Sequence, residues 1–215
     1  QNMVARFGEP CGVGGGPLGC RLALIAYGKL GGFELGYGSD LDLVMLHDAD
    51  QDGKTNGLKA IDNAVFFHRL VQRIIHILTR YTRFGTVYDI DLRLRPAGNK
   101  GPLVSTLSAY ARYLRETAWT WEHQALVRAR FVAGHPALQV KFDGIRATVL
   151  QQPRSRPALL QEVVAMREKM RAHLETKTGL ATPLDKSDSG DEVLLSGFDL
   201  KHGAGAIVDI EFMVQ

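Results

Sequence analysis

Cysteine is scarce in this sequence: 215 residues hold two, Cys11 and Cys20, nine positions apart in a glycine-rich stretch. That spacing is neither a zinc-type pair nor a redox C-x-x-C, so thiol chemistry is not the theme, and two free thiols in a reducing compartment are expected. No uninterrupted apolar run approaches the ~20 residues needed to cross a bilayer and no signal peptide is visible, which makes the cytoplasm the expected location. An excess of one charge is missing too. The formal net charge is +3, with acids and bases interspersed and no basic stripe standing out, so nothing announces a nucleic-acid or membrane partner. The seven histidines show no ligand spacing, and His68 and His76 are expected at the surface or in packing. The chain begins at Gln1 without an initiator Met and stops at Gln215 inside an apolar run, as a piece of a longer protein would.

What is present is globular. At 45% apolar residues the chain can build one large domain, or a core domain with a smaller one. Residues 1–20 are rich in glycine and read as a loop or frayed lead. Their Gly14-Gly15-Gly16-Pro17-Leu18-Gly19 satisfies G-x-G-x-x-G, but a dinucleotide fingerprint follows a strand and opens a helix, and neither condition holds here. A core is placed at 21–104. In it, 21–27 and 41–47 are strand-like apolar runs, separated by a turn at Gly28-Lys29-Leu30-Gly31-Gly32. Between about Gly57 and Arg83, Ala64, Phe67, Val71, Ile74 and Leu78 recur at steps of three and four, the period of a helix with one buried face. From Val87 to Arg95 the pattern alternates, with Tyr88, Ile90, Leu92 and Leu94 on one face and Asp89, Asp91, Arg93 and Arg95 on the other. Four helices follow, at 105–116, 119–130, 136–150 and 157–174, so 105–175 is a helical part. Residues 176–199 lose periodicity and read as a loop or mobile insertion, and 200–215 as the start of a further helical region.

The chemistry centres on Gly38-Ser39-Asp40-Leu41-Asp42. Positions two apart on a strand share a face ~6 to 7 Å apart, so Asp40 and Asp42 present two carboxylates that repel unless a cation lies between them. Gly38, lacking a Cβ, and the Ser39 hydroxyl allow a phosphate to come close. Asp91 supplies a third carboxylate if its strand is a neighbour, and Arg93 and Arg95 on the same face can meet nucleotide charge. Three acids suit Mg²⁺ (or Mn²⁺) and two-metal phosphoryl chemistry, in which the ions activate an attacking hydroxyl and neutralise the leaving oxygen. The plainer alternative, that Asp40 and Asp42 cap a turn, does not account for the acid-bearing second strand. Lys29 in its glycine-rich turn is either a phosphate contact or an exposed turn lysine. Trp119 and Trp121 fit core or interface anchors better than an adenine platform.

Three runs carry a family resemblance: Tyr27 to Leu43, Asp91-Leu92-Arg93-Leu94-Arg95-Pro96, and Ala118-Trp119-Thr120-Trp121-Glu122-His123 through Arg130. They resemble glutamine synthetase adenylyltransferases, bifunctional enzymes whose two related domains add AMP to, and remove it from, a tyrosine of glutamine synthetase. Glu34 to Ser39 and the Trp-Thr-Trp-Glu-His run are closer to the adenylylating half. The resemblance covers about 21–175 and resumes at 201–215. It implies an α+β, polymerase-β-like nucleotidyltransferase fold, with a mixed β-sheet, helices on one face and a helical segment following. It further implies Asp40, Asp42 and Asp91 as metal-binding catalytic acids, Gly38 and Ser39 at the phosphates, and ATP as the AMP donor. Glutamine synthetase is then the protein substrate, with glutamine and the PII signal protein as regulators of the whole enzyme. Where the family has Gly-Gly ahead of its Asp-Ile-Glu-Phe run, this chain has Gly205-Ala206.

Overall fold

A computed structural model describes residues 3–12, 16, 21–83, 85, 88–178 and 207–214. The chain divides into two compact units, Gln1–Gln152 and Pro153–Gln215. In the first unit, α1 (Met3–Phe7) precedes β1 (Leu22–Ala26), a single helical turn α2 (Gly28–Gly31) and β2 (Leu41–His47). Next come α3 (Asn63–Leu78), β3 (Ile90–Asp91), β4 (Ser105–Thr106) and α4 (Leu107–Glu116). The unit closes with α5 (Thr120–Val127), β5 (Arg130–Gly134) and α6 (Pro136–Leu150).

The sheet is mixed. β1 runs antiparallel to β2 on one side and to β5 on the other, while β3 and β4 both lie parallel to β2 along its remaining edge. Parallel neighbours need a crossover, and α3 supplies it between β2 and β3.

Both faces of this sheet are covered, not one as expected. Ala23, Ile25, Val44 and Leu46 point to a layer containing Tyr110, Leu114, Leu126, Leu138 and Phe142 of α4, α5 and α6. The alternate residues Leu22, Ala26, Leu43 and Met45 meet Phe66, Phe67 and Val71 of α3 and Met3 and Phe7 of α1. Two buried faces explain why β1 and β2 read as near-continuous apolar runs. They also correct the reading of the lead, since α1 is a helical turn and a half with Met3 and Phe7 in the core. Apart from Gly16, the glycine motif of the lead lies outside the described residues, as does Cys20; Cys11 is a free thiol.

α3 is shorter than its periodic segment. Its buried residues are Asn63, Phe66, Phe67 and Val71, while Ala64 and Leu78 are exposed. Asn63 is buried because its amide nitrogen donates to the Cys11 and Asp50 carbonyls, at 2.8 and 2.9 Å, fixing the loop before the helix.

Two elements depart from expectation for local reasons. β3 ends at Asp91, because its carboxylate turns back on the chain: Oδ1 accepts from the Arg93 amide at 2.8 Å. That Asx-type turn bends the backbone out of the strand, and Arg95 then stitches the following loop, its guanidinium donating to the Leu92 and Gly101 carbonyls at 2.7 and 3.4 Å. The segment expected as a helix to Arg130 instead ends at Val127, and Arg130–Gly134 becomes the edge strand β5. At Gly134 (φ 127°) a Cβ would stand 2.1 Å from the Leu22 carbonyl oxygen, so the close approach to β1 requires glycine.

In the second unit, α7 (Arg156–Thr178) extends past the expected end at 174 and takes in 176–178; 179–199 and Gly205-Ala206 lie outside the described residues. α8 (Ile207–Val214) is joined to α7 through Asp209, which pairs with Arg167 and, at 3.5 Å, with Arg171. No helix among the described residues is long and apolar enough to cross a membrane.

Candidate functional site

β2 and β3 put the acids side by side. Their parallel register pairs Leu41 with Ile90 and Asp42 with Asp91, and the Leu41 amide donates to the Asp89 carbonyl at 2.8 Å to begin the ladder. Neighbouring strands are ~4.8 Å apart, so Asp42 and Asp91 side chains leave one edge as adjacent neighbours. Asp40 sits just before β2, exposed, two residues from Asp42. The Asp42 carboxylate is turned toward Gly28, where φ is 50° and a Cβ would lie 2.3 Å from Asp42 Oδ2. The Tyr27 amide donates to the Asp42 carbonyl at 2.9 Å, which seats the α2 turn against the acid-bearing end of β2.

Arg93 is the cation of this edge. Its Nε donates to Asp91 Oδ2 at 2.7 Å and Nη2 pairs with the same oxygen. Hydrogen bonding from the Arg93 side chain holds the Asp91 carboxyl below its ordinary range, with burial acting the other way. The guanidinium in turn is held more firmly protonated, first by its bond to Asp91 and that residue's charge, then by the charges of Asp42 and Asp40. Three carboxylates therefore act on one arginine. Among the described residues no cluster of three or more His, Cys, Asp or Glu stands close enough to hold a metal ion. The donor set nevertheless suits a hard divalent cation, all of it carboxylate oxygen on register-matched backbone.

The remaining predicted residues divide. Gly38 has φ 70° with open space where a Cβ would be, and Ser39 Oγ accepts from the Gly36 amide at 3.3 Å, closing the turn that leads into Asp40. Lys29 is exposed on α2. Arg95 is buried, with its guanidinium on backbone carbonyls of its own loop, so it holds the turn after β3, while its charge still reaches Asp91. Trp119 is exposed, and beside it the buried Glu122 accepts from the Trp119 amide at 2.8 Å and from the Tyr113 hydroxyl at 2.7 Å.

Sequence reasoning missed the clamp on the glycine-rich turn. Both oxygens of Glu34 accept from Arg128 Nη2 at 2.8 Å. Arg130 donates to the Leu30 and Gly31 carbonyls at 2.9 and 3.1 Å and stacks 3.7 Å above the Phe33 ring. Phe33 has φ 60°, a left-handed conformation that costs a non-glycine residue about 1 to 2 kcal/mol. The clamp holds it there. The signal was the i, i+2 pair Arg128 and Arg130, legible only once 130–134 is taken as a strand.

Acids on an open sheet edge beside a glycine-rich turn define a site suited to nucleotide phosphates carried with a divalent ion. The family model described as glutamate-ammonia ligase adenylyltransferase matches residues 1–145, and the chain belongs to that family. Bifunctional glutamine synthetase adenylyltransferase/adenylyl-removing enzymes are similar to it throughout. The one from Pseudomonas aeruginosa is 51% identical over 215 residues, all of this chain and 22% of the relative. That from Hahella chejuensis is 52% identical over 215 residues, all of this chain and 21% of the relative. That from Psychromonas ingrahamii is 48% identical over 213 residues, 99% of this chain and 21% of the relative. The chain thus spans about a fifth of the length of these relatives, and the similarity includes both the lead and the 176–199 stretch.

Proposed function

We propose that this chain is a polymerase-β-like nucleotidyltransferase domain that transfers AMP from ATP to a tyrosine hydroxyl of glutamine synthetase in the cytoplasm, releasing pyrophosphate. The observation that carries this reading is the Asp42–Asp91 register, which sets two acids from sequence-distant strands on one edge with Asp40 beside them. In the reaction a bond forms from the tyrosine oxygen to the α-phosphorus, the bond to the pyrophosphate oxygen breaks, and the hydroxyl proton is released. Mg²⁺ or Mn²⁺, when bound, supplies positive charge to the triphosphate and to the attacking and leaving oxygens. Asp40, Asp42 and Asp91 would hold the ion. Gly38 and Ser39 admit the phosphates at the start of β2, with Lys29 within the adjoining turn. Arg93, released from Asp91, meets the charge on the nucleotide. Glutamine and the PII signal protein are proposed as regulators of the whole enzyme.

Asp42→Asn tests the assignment. The change keeps side-chain shape and removes charge, so transfer of AMP should fall by about a hundred- to a thousandfold, as for loss of a charge-stabilising group, while the melting temperature holds or rises through relief of repulsion. Near-normal transfer sinks the catalytic role, and a collapsed melting temperature favours a purely structural one. Assaying with ATP and unmodified glutamine synthetase, then with phosphate and the adenylylated form, separates addition from phosphorolytic removal.

A further inference from the structure

α3 and the segment after it carry no acid from Asn63 to Arg83, although arginines stand at 69, 73, 80 and 83 and histidines at 68 and 76. In a chain of net charge +3 this is a local concentration of one sign, missed when charge is judged over the whole sequence. The fold sharpens it. Where α1 crosses α3, a cavity of about 380 Å³ is lined by Arg6, Arg69, Arg73, His76 and Gln72, with Phe7 as part of its floor. The Arg6 and Arg69 guanidinium carbons stand 5.0 and 5.5 Å from the centre of the Phe7 ring, which is itself buried. The lining contains no carboxylate, and among the described residues no acid is paired with Arg6 or Arg69.

Guanidinium groups gathered over one ring repel each other, and a shared anion removes that cost. The ring face offsets only part of it. Planar forks suit carboxylate and phosphate oxygens, and the cavity has the size of small-ligand sites, roughly 300 to 1,000 Å³. We infer that the α1–α3 seam is a binding site for a small organic polyanion, one bearing at least two carboxylate or phosphate groups, held between Arg6 and Arg69 with Arg73 and His76 at its edge. This site shares no residue with the acidic edge and stands whether or not the adenylyl-transfer reading holds.

Calorimetry on the intact protein in metal-free buffer tests it, with citrate, succinate and acetate at matched ionic strength as probes. Leaving out metal keeps the probes from the acidic edge. Citrate is expected to bind and to raise the melting temperature, succinate less so, acetate not at all. Arg6→Ala/Arg69→Ala should weaken citrate binding by at least about tenfold. Should that variant melt early without ligand, Arg69→Gln decides, because it removes the charge from an exposed stem. Pyrophosphate in place of citrate separates a phosphate preference from a carboxylate one, and binding of either supports the site. Equal effects of citrate and acetate, or an unchanged citrate affinity in Arg69→Gln, would overturn it.

Discussion

Arg93 is the ionic partner of Asp91 at the acidic edge. It gives Asp91 three hydrogen-bonding or ionic contacts, through its amide, Nε and Nη2, and it feels the charges of Asp42 and Asp40 as well. The guanidinium is mostly exposed, so the pair contributes little to stability. Its effect is on occupancy, since an ion that takes an Asp91 oxygen must first displace it. Arg93→Ala should therefore tighten Mn²⁺ binding without nucleotide about three- to tenfold, the scale of one partly screened charge-assisted contact, while weakening ATP binding in the presence of metal. Electron paramagnetic resonance of free Mn²⁺ measures the first and calorimetry the second. Weaker Mn²⁺ binding in the variant would mean that Arg93 organises the acids instead of competing for them.

At the level of elements, the site depends on a turn held from outside. α2 and the residues after it are fixed by Arg128 and Arg130, which belong to the approach to β5 and β5 itself, and one of those bonds spans 94 residues of sequence. Arg128→Ala should cost stability no more than about 1 kcal/mol, because Glu34 is half exposed. Phe33 would then relax from its left-handed backbone and the turn would drift. ATP affinity should fall several-fold with the melting temperature nearly constant, and Glu34→Gln should act alike. If either variant binds ATP normally, the clamp serves the fold alone.

The same elements show what a sequence reveals of such a site. β2 and α6 occur where they are expected, at 41–47 and 136–150, because apolar runs and a Pro-led helical period are local properties. The alternation at 87–95 was read as one strand, but β3 is only Ile90–Asp91, since the carboxylate–amide bond that ends it is a side-chain choice the period does not encode. The same extrapolation put Arg95 on an open polar face, whereas it is buried against the backbone of its own loop. β5 was missed because its pairing with β1 is non-local, and the second buried face was missed because Met3 and Phe7 lie in a stretch whose glycines suggested disorder. Asp40, Asp42 and Asp91 were legible as acids, but only the β2–β3 register makes the last two neighbours.

At the scale of the whole unit, His47 makes the core sensitive to acid. His47 closes β2, buried, with its ring stacked at 4.1 Å and 4° on Phe67 of α3 and its Nδ1 accepting from the Ala49 amide at 3.3 Å. Burial pulls the imidazole from 6.5 to about 4, against the opposing charge of Asp48. The unfolded chain takes up this proton near pH 6.5 and the native protein not until about 4, so below 6.5 the unfolded state binds more protons and stability falls with pH. Above 6.5 both states are neutral and the term vanishes. Across the full window it amounts to about 3 kcal/mol, of which about 2 kcal/mol is lost by pH 5. His47→Asn keeps an acceptor for the Ala49 amide while removing the titration and part of the stacking. Its stability at pH 7 should be lower than that of the parent, but the drop between pH 7 and pH 5 should be smaller by about 2 kcal/mol. Urea midpoints of both proteins at the two pH values measure this difference, with the slope rather than the level as the readout. Identical pH slopes would show that the acid sensitivity resides elsewhere and that His47 takes up its proton over the same pH range in the native and unfolded states.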